Sequence, residues 1–129
     1  MALILVVEDS PTQTYSLKKL LTKHGHEVIT AVDGEEGVEL ARIMLPDLIL
    51  MDILLPKVDG FQATRLLTRD VHTSHIPIIV ISNKTLETDV IWGKRQGARR
   101  YFTKPIDENE LMENINELLA AAPRRSGSV

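Results

Sequence analysis

The stretch Leu48–Asp52, four consecutive apolar residues that end at a carboxylate, constrains the fold most. A continuous apolar run of this length predicts a β-strand buried on both faces, as in parallel sheets. The turn-forming residues of Pro56–Gly60 follow soon after it. A carboxylate at the end of a buried strand loses hydration unless another group compensates it. The run therefore predicts a sheet covered on both sides and a polar partner for Asp52.

Strand-like runs alternate with helix-like segments along all of the chain except its last residues. The predicted strands are Leu3–Val7, Glu27–Ala31, Leu48–Asp52, His75–Ser82 and Arg99–Thr103. The helices that follow them begin near Ser10, Asp33, Asp59, Leu86 and Asp107. This alternation predicts an α/β fold, a doubly wound five-stranded parallel sheet with helices on both faces. Only Glu27–Ala31 alternates partly between apolar and polar residues, which predicts an edge strand.

The composition excludes several classes of function. The 129 residues are 43% hydrophobic and 26% charged, which is typical of a folded domain, and the net charge of −3 favours neither nucleic acid nor an anionic membrane. Because the chain has no cysteine, disulfides, thiolate metal sites and cysteine nucleophiles are excluded. The first apolar run is too short for a signal or membrane segment. We expect a cytoplasmic protein with one domain, residues 1–120, and a flexible tail, residues 121–129.

Polar side chains follow four of the predicted strands at the point where each strand ends. They are Glu8, Asp9, Asp52, Ser82 and Lys104. The carboxyl ends of parallel strands share one edge of the sheet, where open α/β folds bind ligands. Three neighbouring carboxylates require a cation to remain ionised, and oxygen ligands favour a hard ion such as Mg²⁺. A carboxylate can also act as a nucleophile toward phosphorus, and Lys104 and the metal can supply the positive charge that phosphoryl transfer needs. The pattern predicts acyl-phosphate chemistry.

With these motifs in this order, residues 1–120 resemble the receiver domain of two-component response regulators, the CheY-like class. The resemblance implies a flavodoxin-like fold with strand order 2-1-3-4-5. It matches Glu8 and Asp9 to the acidic metal-binding pair and Asp52 to the phosphoacceptor. Ser82 and Tyr101 match the two switch residues. Lys104-Pro105 matches the Lys-Pro signature, in which the peptide bond is commonly cis. It also makes the backbone carbonyl of Leu54 a ligand of Mg²⁺.

The resemblance implies a stand-alone phosphorylation switch. A histidine kinase would donate a phosphoryl group to Asp52, Ser82 and Lys104 would contact its oxygens, and Tyr101 would turn inward. The protein would catalyse only its own phosphorylation and dephosphorylation. It would signal by binding an effector protein through the fourth helix, fifth strand and fifth helix, without binding nucleic acid or inserting into a membrane.

Three segments resemble a narrower group, the single-domain regulators of type IV pilus twitching chemosensory systems. They are Glu8–Thr12, Phe61–Arg65 and Trp92–Ala98. This likeness implies a role in chemotaxis or twitching motility. A phosphate sink and a non-phosphorylated pseudo-receiver that acts as an interaction module remain as alternatives. Leu54 and Asn83 depart from the usual residues beside the phosphoryl site, so we expect altered phosphoryl lifetime.

Other classes of function fit the residues less well. A phosphatase with an aspartyl nucleophile usually has a second acid where Leu54 stands, and a flavin site would not carry the acidic pair after its first strand. Neither the four histidines nor the tail arginines form a metal or nucleic-acid pattern. Trp92 stays open between packing in the core, which is the favoured interpretation, and a partner surface.

Overall fold

Five parallel strands and five helices alternate along residues 1–121, the part of the chain that this computed structural model describes. The strands are β1 (Leu3–Val7), β2 (Glu27–Ala31), β3 (Leu48–Asp52), β4 (Ile78–Ser82) and β5 (Arg100–Thr103). The helices are α1 (Pro11–Lys23), α2 (Gly34–Met44), α3 (Gly60–Arg69), α4 (Glu87–Arg95) and α5 (Glu108–Ala121). The sheet order is β2-β1-β3-β4-β5, which confirms the predicted fold class and places β2 at an edge.

The strand register brings the functional edge of the sheet together. Val7 lies opposite Met51, and Asp52 lies opposite Ile81. Ser82 lies opposite Thr103 in the last pair of strands. The residues that end or follow β1, β3, β4 and β5 therefore lie side by side.

Two apolar layers hold the sheet, one on each face. One layer packs β1, β3 and β4 against α1 and α5, and includes Leu21, Leu50, Leu111 and Ile115. The other packs the same strands against α2 and α3, with Val38, Ala41, Ala63 and Leu67. Every residue of β3 and β4 is buried, as the continuous apolar runs predict.

Helix α4 belongs to neither layer. Gly93 is its one buried residue, and its N-cap Leu86 makes no side-chain hydrogen bond to the helix. Leu86, Ile91 and Trp92 are exposed. Trp92 is 50% exposed, so packing in the core was the wrong interpretation for that residue.

Several element boundaries differ from the sequence prediction. β4 begins at Ile78 and not at His75, because Pro77 has no N–H for a sheet ladder and the Ile76 N–H bonds to the carbonyl of Thr73 in a turn. Helix α5 continues through Ala121, and the remainder of the predicted tail, residues 122–129, lies outside the described residues. Within residues 1–121, no helix is long and apolar enough to cross a membrane.

Candidate functional site

Three carboxylates meet where β1 and β3 end. Glu8 and Asp52 are 3% and 7% exposed, whereas Asp9 is exposed. One oxygen from each of the three side chains lies within 4.8 Å of the others. The sequence prediction that Glu8, Asp9 and Asp52 converge describes this geometry correctly.

Lys104, which follows β5, provides the positive charge beside this cluster. Its Nζ lies 3.1 Å from Glu8 Oε1 and 3.6 Å from Asp52 Oδ1. The Lys104–Pro105 peptide is cis. Because both ion pairs are largely buried, they are screened by water much less than surface pairs are.

One ammonium group does not offset three carboxylates. Burial raises the pKa of Glu8, and the negative charge of Asp52 raises it further. The Ser10 N–H, which donates to Glu8 Oε2 at 3.1 Å, and the Lys104 ammonium act in the opposite direction. The pKa of Glu8 is nevertheless raised, mainly by burial, so the ionised carboxylate is disfavoured unless a further positive charge compensates it.

The cluster has the chemistry and size that fit Mg²⁺. Its ligands are hard carboxylate oxygens, which this ion prefers. Oxygens on opposite sides of an octahedral Mg²⁺ lie about 4.2 Å apart, because each bond is about 2.1 Å long. The spacing of the three carboxylate oxygens, which lie within 4.8 Å of one another, is close to this distance.

The backbone holds the Asp52 carboxylate in place from the strand side. Asp52 Oδ1 accepts a hydrogen bond of 2.8 Å from the Ile53 N–H. Gly60, the first residue of α3, approaches the same backbone so closely that a Cβ built on it would lie 1.9 Å from the Asp52 carbonyl oxygen. The sequence predicts a turn and a helix start at Asp59-Gly60, but it carries no signal for the contact with Asp52.

Ser82 and Tyr101 meet at the backbone of Lys84, in the loop between β4 and α4. The fully buried Ser82 accepts a hydrogen bond of 3.0 Å from the Lys84 N–H. The Tyr101 hydroxyl donates to the Lys84 carbonyl at 2.9 Å. Burial raises the pKa of Tyr101. The two predicted switch residues are thus linked through a third residue that sequence reasoning missed, since a backbone group leaves no side-chain signature.

The two residues that depart from the family pattern are both exposed. Leu54 lies in the turn after β3, and its side chain is 58% exposed. Asn83 and Lys104 line the same groove, which runs between α1 and α5. Metal binding by the Leu54 carbonyl stays a prediction.

Comparison with known proteins gives the same assignment from sequence and from structure. Residues 4–116 match the family described as the response regulator receiver domain. The chain is 57% identical to Protein PilH of Pseudomonas aeruginosa over 120 residues, which are 93% of this chain and 99% of that protein.

Solved structures of receiver domains have the same fold. A receiver domain of a signal transduction histidine kinase from Syntrophus aciditrophicus superposes with a TM-score of 0.90 at 32% identity, over 98% of this chain and 96% of that one. The receiver domain of a sensor histidine kinase from Pseudomonas aeruginosa PAO1, which has a magnesium ion coordinated in its active-site cleft, superposes with a TM-score of 0.86 at 30% identity. That match covers 93% of this chain and 98% of the other.

Proposed function

This chain belongs to the response regulator receiver domain family, and from that premise we propose that it is a switch in which Asp52 accepts a phosphoryl group from a histidine kinase. The observation that carries the proposal is the position of Asp52. Its carboxylate lies beside the acidic pair Glu8 and Asp9, and the Lys104 ammonium lies 3.6 Å from its Oδ1. A nucleophile flanked by a cation site and a fixed ammonium group suits phosphoryl transfer, which depends on positioning and charge neutralisation.

In the proposed reaction, an oxygen of Asp52 forms a bond to phosphorus while the bond from phosphorus to the donor histidine nitrogen breaks. Glu8, Asp9 and Asp52, together with the Leu54 carbonyl, would hold Mg²⁺. When bound, this ion would offset the negative charge on the phosphoryl oxygens. Lys104 Nζ, only 3.6 Å from Asp52 Oδ1, would exchange part of its contact with Glu8 for a phosphoryl oxygen.

The signal would pass from Asp52 to the surface through Ser82 and Tyr101. The Ser82 hydroxyl would bond to a phosphoryl oxygen, and this would change its contact with the Lys84 N–H. Because Tyr101 bonds to the same residue, the aromatic ring and the loop would move together. An effector protein would then recognise the surface of α4, β5 and α5.

The pathway that we propose is chemosensory control of type IV pilus motility or chemotaxis in the cytoplasm. Its support is the 57% identity to PilH. The domain would act on no substrate other than its own Asp52. A phosphate sink, which drains a kinase without binding an effector, is the second candidate, since exposed Leu54 and Asn83 leave the surroundings of the site open to water.

Intact-mass measurement after incubation with acetyl phosphate tests the proposal directly. The wild type should gain one phosphoryl group with Mg²⁺ and none without it, and Asp52→Asn should gain none. Asp70→Asn is a matched control, because this aspartate lies at the C-terminal end of α3, opposite to the Gly60 end that contacts Asp52. If a rapidly quenched wild-type sample shows no adduct, the switch proposal fails and a pseudo-receiver takes its place.

The lifetime of the adduct separates the switch from the sink. A switch should keep its phosphoryl group long enough to bind an effector, and its affinity for that protein should change on phosphorylation. Rapid loss of the adduct, with no phosphorylation-dependent partner, would favour the sink.

A further inference from the structure

Two segments that resemble the pilus regulators meet at the ring of Tyr101. One segment contributes Phe61 at the start of α3, and the other contributes Gly93 in α4. A Cβ built on Gly93 would lie 3.0 Å and 3.1 Å from Cδ2 and Cε2 of Tyr101, and 3.2 Å from Cε1 of Phe61. The three residues therefore form one packed contact, in which the tyrosine ring lies against the bare backbone of the helix.

A glycine inside a helix needs a reason, because glycine has a much lower helix propensity than alanine. Gly93 lies in the last turn of α4, three residues before the C-cap Gln96, and its carbonyl accepts the Gln96 N–H. Its φ angle is in the helical range of ordinary residues, so the backbone conformation does not require glycine. The close approach of the Tyr101 and Phe61 rings is the feature that a larger side chain would disturb.

We propose that Gly93 is a positioning residue for Tyr101, whose missing side chain provides the space in which the ring lies inward. The ring spans the distance from α4 to the loop beside the phosphorylation site, because its hydroxyl bonds to the Lys84 carbonyl. Gly93 is the one buried residue of α4 and Val90 is only half-buried, so the contact with the ring contributes to the position of this helix.

The space beside Gly93 that holds the Tyr101 ring is a property of the fold. The role of this contact in transmitting phosphorylation to α4 rests on the proposed function. Phosphorylation of Asp52 would act on Ser82 and Lys84, and the Tyr101 ring would transmit the change to α4 through its contact with Gly93. An added methyl group at position 93 should uncouple the helix from the site without altering the site itself.

Gly93→Ala is the direct test, with the ring observed by ¹⁹F NMR of 3-fluorotyrosine. The chain contains two tyrosines, so a Tyr15→Phe background leaves a resonance from Tyr101 alone. Solvent-induced shifts of this resonance measure how much of the ring is inward, with and without Mg²⁺ and beryllofluoride, a phosphoryl mimic. Crowding of a packed site costs enough that we expect the inward population of Gly93→Ala to fall about tenfold relative to the outward one.

Two further variants separate the contact from a general effect on the helix. Thr88→Ala, at an exposed position of α4, also raises helix propensity but leaves the ring contact intact, so its resonance should match the wild type. Adding Phe61→Leu to Gly93→Ala frees space beside the ring and should restore the inward resonance.

The outcomes distinguish failure of this inference from failure of the proposed function. An unchanged resonance in Gly93→Ala, an outward ring in the wild type with Mg²⁺ and beryllofluoride bound, or equal shifts in Thr88→Ala and Gly93→Ala would each overturn the role of Gly93. Intact mass of the same samples with acetyl phosphate should show equal phosphorylation of Asp52 in wild type and Gly93→Ala. If the wild type gains no phosphoryl group, the proposed function fails while the ring measurement still decides the contact.

Discussion

Gly60→Ala is expected to disable the site from outside the acidic cluster. The added Cβ would lie 1.9 Å from the Asp52 carbonyl oxygen and 2.7 Å from Ile53 Cα. Both neighbours are backbone atoms, so no side-chain rotation can relieve the overlap. The Gly60 N–H also donates to the Ile53 carbonyl at 2.9 Å, and this bond must stretch if α3 moves away.

The size of the effect follows from the distance. Ordinary contact begins at 3.4 Å, so the gap between α3 and the end of β3 must open by about 1.5 Å. Overpacking of a tight core contact costs about 1–3 kcal/mol of unfolding free energy. A displacement of about 1 Å at a reacting group reduces rates by about 100-fold. We therefore expect Gly60→Ala to lose about 2 kcal/mol or more and to slow the phosphorylation of Asp52 by about 100-fold.

Urea unfolding and the rate of Mg²⁺-dependent phosphorylation by acetyl phosphate are the two assays. Gln62→Ala, an exposed position in the first turn of α3, is the control and should stay within about 0.5 kcal/mol of the wild type. If Gly60→Ala has wild-type stability and a wild-type phosphorylation rate, the close approach of α3 to Asp52 does not position the nucleophile.

Substitutions at three other positions test separate parts of the structure. Ser82→Ala should still accept a phosphoryl group on Asp52, but beryllofluoride should no longer shift the Tyr101 resonance; a full shift would contradict the proposed relay. Burial lowers the pKa of His26 below its ordinary value of 6.5. The wild type should therefore lose stability as the pH falls below 6.5 toward the lowered pKa of the folded state. Protonation of the ring then removes the acceptor for the Ala2 N–H. His26→Asn should flatten the dependence of the urea midpoint on pH, and an unchanged slope would refute this cause. Asp33→Ala should cost about 1 kcal/mol in urea unfolding, because Asp33 Oδ1 caps α2 with a 2.7 Å bond from the Glu36 N–H, and Asp33→Asn should recover most of it.

The order and type of the elements could be predicted because the central strands are continuous apolar runs. β1, β3 and β4 need no partner information to be recognised, and parallel register then brings their ends together. This is why the convergence of Glu8, Asp9, Asp52 and Lys104 followed from the chain alone. The start of β4 was harder to predict from sequence. Ile76 and Pro77 continue the apolar run, but their backbone groups belong to a turn.

Contacts between backbone and ring were beyond sequence reasoning. The glycines at positions 60 and 93 look alike in the chain, yet one meets the carbonyl of Asp52 and the other meets an aromatic ring. Which atom contacts a glycine depends on the packing angle between its helix and the neighbouring strand or helix. The hydrophobic periodicity of the sequence carries no information on that angle. Trp92 was misplaced for a related reason, since α4 turns a glycine and not its largest side chain toward the sheet.

The position of Trp92 makes this residue an intrinsic fluorescence probe of α4. It is the single tryptophan in the chain, it is half-exposed, and it lies next to Gly93 in α4. Its fluorescence can be excited selectively at the red edge of the absorption band, so stopped-flow mixing with a phosphodonor would time the movement of α4 without any label. Comparison of this optical rate with the rate of adduct formation by mass would reveal whether the helix moves with the chemical step or after it.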